Sequence, residues 1–285
     1  MVGRRPQRIQ YKTPEQIALM RAAGLVVADV LEQVSAAAVP GVSTAELDRL
    51  AEEIIRSHGA IPSFLGYHGY PATLCTSVNN QVVHAIPSPK QVLREGDLIS
   101  IDAGAILDGW HGDAAVTVAV GEVAPQVAEL KRVAEEALWA GIAAAAEGVR
   151  SGRGRLTDIS HAVERSVRAF GRYGIVEGYG GHGIGTEMHQ DPHVLNYGRP
   201  GRGPRLVPGL CLAIEPMITL GSPRTLELAD GWTVVTQDGS IAAHVEHTVA
   251  LTEDGAWVLT ARDGGAARLG DLLSSAAVAA ERGST

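Results

Sequence analysis

The sequence predicts a mixed α/β (α+β) fold in which one supersecondary unit is used twice, and three observations carry that reading. Helical patterns come in two pairs, each followed by strand-like text. Moving the first half along the chain sets Leu47 on Ile159, Ala51 on Val163, Ile55 on Val167 and Gly59 on Gly171, so the second helix of each pair keeps its apolar face and its stop. A shift one position longer sets Gly96, Ile101 and Asp102 on Gly209, Ile214 and Glu215, which places a carboxylate on a carboxylate.

Each element has a local reason. Thr13, Pro14 and Gln16 supply an N-cap, a proline in the first turn and a glutamine three residues after the cap, so a helix runs from there to about Ala38, where Pro40 and Gly41 end it. Ser43 and Glu46 form a second capping box ahead of Leu47, Leu50, Ala51, Ile54 and Ile55, an apolar face that stops at Gly59. Residues 98–120 change to strand-like text around Asp108-Gly109, the pattern of a hairpin or tight strand pair, with Asp102 and Asp113 on opposite strands. Pro125 opens a helix to about Gly148, Thr157 caps a further one to about Gly171, and more strands follow to Leu259. We therefore expect residues 1–12 to be a flexible N-terminus, 13–260 one domain, and 261–285 a weakly structured tail with at most a short helix at 269–281.

Composition narrows the function classes. The chain has 285 residues, 45% of them hydrophobic, enough for a large core. Its formal net charge of -8 advertises neither a nucleic-acid nor a membrane partner. The two cysteines, Cys75 and Cys211, stand far apart, which argues against a disulfide framework and against a zinc finger. The basic cluster of Arg4, Arg5 and Arg8 has no apolar core of signal-peptide type after it, and no stretch is long and uncharged enough to span a bilayer, so a cytoplasmic location is expected.

Five ligand-type side chains stand in text that reads as strands or strand ends: Asp102, Asp113, His182, Glu215 and Glu246. Four are acidic, and charge in a half-buried sheet is costly unless it is paired or metal-bound. No lysine or arginine stands in the immediate segments, so a multivalent cation is the economical explanation. Oxygen-rich ligation with one imidazole suits Co, Mn, Fe or Zn in a two-ion hydrolytic site better than a structural zinc. Singly each signal is weak, since an aspartate in a hairpin is usually a turn or surface residue. The stretch from His182 to His189 is more specific, because its glycines permit close backbone approach while two imidazoles converge.

Seven segments, in order, carry a resemblance. Gly66-Tyr67-His68-Gly69-Tyr70-Pro71, Val83-His84-Ala85-Ile86-Pro87, Ile101-Asp102-Ala103-Gly104, Gly109-Trp110-His111-Gly112-Asp113, Gly181-His182-Gly183-Ile184-Gly185, Ala213-Ile214-Glu215-Pro216 and Val245-Glu246-His247-Thr248 resemble type I methionine aminopeptidases over roughly residues 10–260. The resemblance implies the pita-bread fold, a pseudo-twofold curved antiparallel sheet flanked by two pairs of helices. It also implies two divalent metal ions, with Asp113 and Glu246 bridging them, Asp102 chelating one, and His182 with Glu215 completing the other. Glu215 would in addition shuttle a proton to the leaving amine, His189 would stabilise the tetrahedral intermediate, and His84 would contact the scissile amide. A methionine pocket lined by Tyr67, Tyr70, Cys75 and Trp232 is implied, with His84 and His189 at its mouth. Phe64 stands where the bacterial pattern often has cysteine, and Met188 where it usually has phenylalanine.

The implied substrates are nascent polypeptides with an N-terminal methionine and a small second residue. Ribosome association is expected for an enzyme acting there, with no specific nucleic acid, no membrane and a monomeric state. X-Pro peptidases of the same fold carry a large domain before the catalytic one, for which Asp102 stands too near the start. Type II methionine aminopeptidases carry a helical insertion for which the intervals 189–215 and 215–246 leave no room. A non-catalytic relative should have lost ligands, and all five are here.

Overall fold

In the computed structural model, which describes residues 9–282, helix α1 spans Pro14–Ala37 and helix α2 Thr44–Ser57. Both start at the capping boxes read from the sequence. The Thr13 hydroxyl accepts the Gln16 N–H while the Gln16 side chain accepts that of Thr13, and Ser43 and Glu46 repeat the exchange. The second helix pair is α3 (Pro125–Ser151) and α4 (Leu156–Phe170). Thr157 does not cap α4. The Arg155 N–H is held by the Asp158 carboxylate at 2.7 Å, and the Thr157 hydroxyl instead reaches the Arg202 carbonyl.

A nine-stranded sheet lies beneath the helices. Its strands are β1 (Ile61–Pro62), β2 (Leu74–Val78), β3 (Leu98–Leu107), β4 (Trp110–Ala119), β5 (Gly181–Gly183), β6 (Gln190–Val194), β7 (Cys211–Ile214), β8 (Glu246–Leu251) and β9 (Ala256–Val258). They run in the order β1-β3-β4-β8-β7-β5-β6, with β2 also on β3 and β9 on β8, and every pairing is antiparallel. The β3–β4 turn falls at Asp108 and Gly109, both at positive φ, the backbone that a two-residue hairpin of matching twist requires. The two halves of the chain join where β4 pairs β8, Ala115 opposite Glu246.

Period-two alternation divides the sheet into faces. Ile99, Ile101, Ala103 and Ala105 of β3 point into one core with Val27, Val30, Leu47 and Ile55 of α1 and α2. Leu212, Ile214, Val249 and Leu251 point into another with Leu130, Ile142, Ile159 and Val163 of α3 and α4. One helix pair therefore covers each half, as the repeat predicts, and the opposite face is left for the site. Two three-stranded sheets lie beside the main one: Ala242–His244, Met217–Thr219 and Gly174–Ile175 form the first, and Thr225–Glu227, Val234–Thr236 and Gln81–Val83 the second. Among the described residues no helix is long and apolar enough to cross a membrane.

Close backbone approach fixes α1 on the sheet. A Cβ on Gly24 would collide with the Leu259 carbonyl, and one on Gly112 would lie 2.8 Å from the Gly24 backbone. Glycine to alanine within a helix ordinarily gains about 1 kcal/mol of propensity. Here we expect Gly24→Ala to destabilise the fold by about 2 kcal/mol, because overpacking against backbone outweighs that gain. Urea unfolding measures it, and a variant as stable as the parent would show that the helix can withdraw freely.

Both ends are better packed than the sequence suggests. Residues 1–8 of the expected flexible terminus lie outside the described residues. Ile9, however, packs on the core, and Lys12 is buried, its N–H donating to the Gly209 carbonyl and its Nζ to Gln10 O at 2.8 Å and Gln190 Oε1 at 3.2 Å. The tail forms α5 (Ala266–Leu269) and α6 (Ser275–Arg282), interrupted at Gly270, so the helix expected at 269–281 is broken. Leu269 and Ala277 are buried against the body, and the Ser274 N–H donates to the Ala256 carbonyl of β9.

Candidate active site

The strand register explains why residues so distant in sequence converge. Cys75 stands opposite Asp102, Asp102 opposite Ala115, and Glu246 also opposite Ala115. Asp113, two residues before Ala115, shares that face. Further along, His182 stands opposite Ala213, and Glu215, two residues later, follows the end of β7 on the same side. Asp102, Asp113, His182, Glu215 and Glu246 thus project from one face, away from the helices. A single cavity of about 120 Å³ is lined by all five together with Phe64, Tyr67, Tyr70, Cys75, His84, Met188, His189 and Trp232, so the structure brings every sequence-predicted site residue together.

The glycines flanking His182 act as the sequence suggests. A Cβ on Gly181 would strike the Ala213 carbonyl of β7, and one on Gly183 the Asp191 carbonyl of β6, so only glycine lets β5 lie between its neighbours with the imidazole facing the cavity. His182 Nε2 lies 3.7 Å from Glu215 Oε1 and 4.0 Å from Asp113 Oδ2.

The cluster concentrates negative charge where water is scarce. Asp102 Oδ1, Asp113 Oδ1 and Glu246 Oε1 are buried without a hydrogen-bond partner among the described residues. Burial, then the nearby charges of Asp102 and Glu215, pushes the Asp113 carboxyl well above the usual range. Burial followed by Asp113 does the same to Glu246. Burial carries Asp102 up to about 7 against the pull of His244. Glu215 differs: burial alone would raise it, but the His244 contact and the charges of His244, His182 and His189 bring it below the ordinary value. Orphaned buried oxygens beside an imidazole form a donor set that suits hard or borderline divalent cations. Asp113, His182 and Glu246 offer ligand atoms within 4.8 Å of one another, as do Glu215, His244 and Glu246.

The apolar end of the cavity is a separate cluster of Phe64, Tyr70, Ala72, Cys75 and Met188, with Tyr67, Ile86 and Trp232 packed against it. The Tyr70 hydroxyl donates to the Leu74 and Ala85 carbonyls, so the ring rather than the hydroxyl is left for a ligand. Trp232 stacks edge-on against Tyr70 at 5.0 Å and is presented by a turn in which Asp230 accepts the N–H groups of Trp232 and Thr233. Between this pocket and the carboxylates stand two histidines. His189 contacts the Tyr67 hydroxyl through Nδ1 at 2.8 Å, and burial followed by the charge of His182 lowers its pKa to about 3. His84 has a left-handed backbone, φ 59°, uncommon for a residue other than glycine, and burial lowers its pKa as well. A second opening beyond these histidines shares His84, His182, His189 and Glu215 and adds Tyr179, Asp191 and His193.

Sequence reasoning missed two neighbours of the site. His244, wholly buried, places Nε2 3.3 Å from Glu215 Oε2. Tyr179 stands edge-on to His84 at 5.9 Å. A histidine two residues before a ligand glutamate, and so on the same face in an unbroken strand, was the available signal for the first; a tyrosine in a glycine-rich loop gave none for the second.

Fold and site together define a metallopeptidase. Residues 18–253 match metallopeptidase family M24, and the chain belongs to that family. Among its relatives, a methionine aminopeptidase 1 of Mycobacterium tuberculosis is 55% identical over 90% of this chain and 96% of its own, and a methionine aminopeptidase of Clostridium acetobutylicum is 53% identical over 88% and 98%. The crystal structure of a Thermotoga maritima methionine aminopeptidase superposes with a TM-score of 0.85 at 43% identity, covering 89% of this chain and 99% of that one. A Pyrococcus furiosus prolidase, at 20% identity and a TM-score of 0.66, shares the fold alone.

Proposed function

We propose that this chain removes the N-terminal initiator methionine from nascent proteins whose second residue is small, by hydrolysing the first peptide bond with two divalent metal ions. The observation that carries this reading is the shared cavity: buried carboxylate oxygens without partners at one end, and a polarizable aromatic, thiol and thioether lining at the other. Asp113 and Glu246 would bridge the ions, Asp102 would chelate one, and His182 with Glu215 would complete the second. Co, Mn, Fe and Zn all accept this donor set. Bound there, such ions lower the pKa of water toward neutrality and polarise the scissile carbonyl.

The chain's own residues supply the rest. Tyr67, Tyr70, Trp232, Phe64, Met188 and Cys75 enclose the methionine side chain, whose thioether favours aromatic and sulfur contacts. His189 Nδ1 and the Tyr67 hydroxyl are paired at 2.8 Å; in the tautomer in which the hydroxyl donates, neutral His189 would present Nε2–H to the cavity and donate it to the oxygen that gains charge as the carbonyl becomes tetrahedral. Neutral His84 contacts the scissile amide. Glu215, held as a carboxylate chiefly by its contact with His244, takes a proton from the attacking water and delivers it to the departing amine. The products are free methionine and a peptide shortened by one residue. We place this activity in the cytoplasm, in a monomer acting beside the ribosome.

The assay uses chelator-stripped protein reconstituted with Co, Mn, Fe or Zn. Met-Ala-Ser should be cleaved only after metal is restored and X-Pro peptides left intact; metal-independent cleavage, or a preference for X-Pro, would refute the function. Because the second side chain must pass His84, Met-Ala-Ser should turn over about 10²-fold faster than Met-Leu-Ser, the scale of steric discrimination in a fitted pocket. Equal rates would remove the size rule.

A further inference from the structure

Glu215 is faced by an imidazole on each side. Its Oε1 lies 3.7 Å from His182 Nε2 and its Oε2 lies 3.3 Å from His244 Nε2, with a Glu246 oxygen also near the His244 side. His244 ends the strand Ala242–His244, which pairs with Met217–Thr219, the strand that begins two residues after Glu215. Its backbone is fixed three times over: the N–H donates to Ser100 Oγ at 3.1 Å and Thr117 Oγ1 at 3.2 Å, and the carbonyl accepts from Thr117 Oγ1 at 2.7 Å. Ser100 and Thr117 face each other across β3 and β4 with their hydroxyls 2.9 Å apart, so the imidazole is braced on the strands that carry Asp102 and Asp113. The side chain is 2% exposed and, among the described residues, Nε2 has no other partner. A buried ring nitrogen without a partner is costly, and a carboxylate oxygen stands within its reach.

The geometry points to His244 as a positioning residue that donates Nε2–H to Glu215 Oε2 and so presents Oε1 alone, beside His182, to the metal. This rests on the two-metal reading above. Glu215 then binds through one oxygen and cannot swing or chelate with both. A carboxylate held in this way keeps its orientation, and such outer partners are typically worth about 10–100-fold in metal affinity or activity. Glutamine at this position can donate an amide N–H in the same direction; leucine cannot.

Cobalt titration by calorimetry, with the visible absorption of the bound ion followed in parallel, compares the parent chain with His244→Gln and His244→Leu. His244→Leu should weaken one of the two cobalt sites by about 10–100-fold and change its absorption bands, and His244→Gln should restore both to within about threefold. A leucine variant that binds as the parent does, or a glutamine variant as impaired as leucine, overturns the assignment. Should the leucine variant not fold, the glutamine arm still decides, together with ¹⁵N NMR of the zinc-loaded parent chain, in which the His244 signal is assigned by its loss in His244→Gln. Nε2 must carry a proton there; an Nε2 that is bare or bound to zinc overturns the proposal. A parent chain that takes up no cobalt would sink the metal reading itself, whereas normal uptake with an indifferent His244 sinks only this step.

Discussion

Replacing Asp113 by alanine is expected to abolish peptide cleavage, with kcat/KM falling by more than about 10³-fold, because the residue is central to the charge-stabilising cluster. Asp113 lies on β4 between Asp102 on β3 and Glu246 on β8, with Oδ2 4.0 Å from His182 Nε2 and Oδ1 without a partner. Asp113 and Glu246 stand on the two middle strands of the cluster, between Asp102 on one side and Glu215 with His182 on the other, so alanine at 113 should reduce the bound ions from two to one or none. The effect on folding should have the opposite sign. Removing one of several like-charged, poorly solvated carboxylates relieves repulsion, so chelator-treated Asp113→Ala should unfold in urea no earlier than the chelator-treated parent. Metal analysis and urea titration separate the two effects. Retention of two tightly bound ions would refute the ligand role, and a large loss of metal-free stability would mean that Asp113 serves the fold.

Why the ligands were legible in the sequence while some of their surroundings were not follows from the range of the forces involved. Capping boxes at Thr13 and Ser43 and the Asp108-Gly109 turn act over three or four residues, so local text suffices. The five ligand-type residues stood out because charge in apolar strand text violates the ordinary cost of burial. Their convergence is then a consequence of register: once β3, β4, β8, β7 and β5 are neighbours, period-two alternation sends all five to one face. His244 escaped because it stands in Ala-Ala-His-Val, which reads as a core strand, and its partner Glu215 is reached only after the small sheet folds back on the large one. The same reason hid the anchoring of Lys12 on Gly209 and the packing of Leu269 and Ala277, contacts between chain ends and body that leave no periodic trace. The α4 cap was misread because threonine is the usual capping residue, whereas here Arg155 precedes the helix and Asp158 satisfies its N–H from within.

The second large effect is expected from Glu215→Gln, which keeps shape and one ligand oxygen but removes the charge that accepts a proton. Of the four acidic residues in the cluster, only Glu215 has its pKa held below the ordinary range, chiefly by the His244 contact that offsets the cost of its burial, while Asp102, Asp113 and Glu246 are pushed up. A carboxylate that stays ionised while it faces the second opening is placed to receive the water proton and release it toward the leaving amine. General acid–base catalysis of this kind contributes about 10²–10⁴-fold, so kcat should fall in that range while KM for Met-Ala-Ser moves by less than about threefold. Two ions should remain bound, although more weakly, since an amide oxygen is a poorer ligand than a carboxylate. A variant that loses an ion outright would assign the whole defect to coordination, and one that raises KM with kcat intact would make Glu215 a binding group. Stoichiometric metal retention with a collapse confined to kcat is the outcome that identifies Glu215 as the residue that moves the proton.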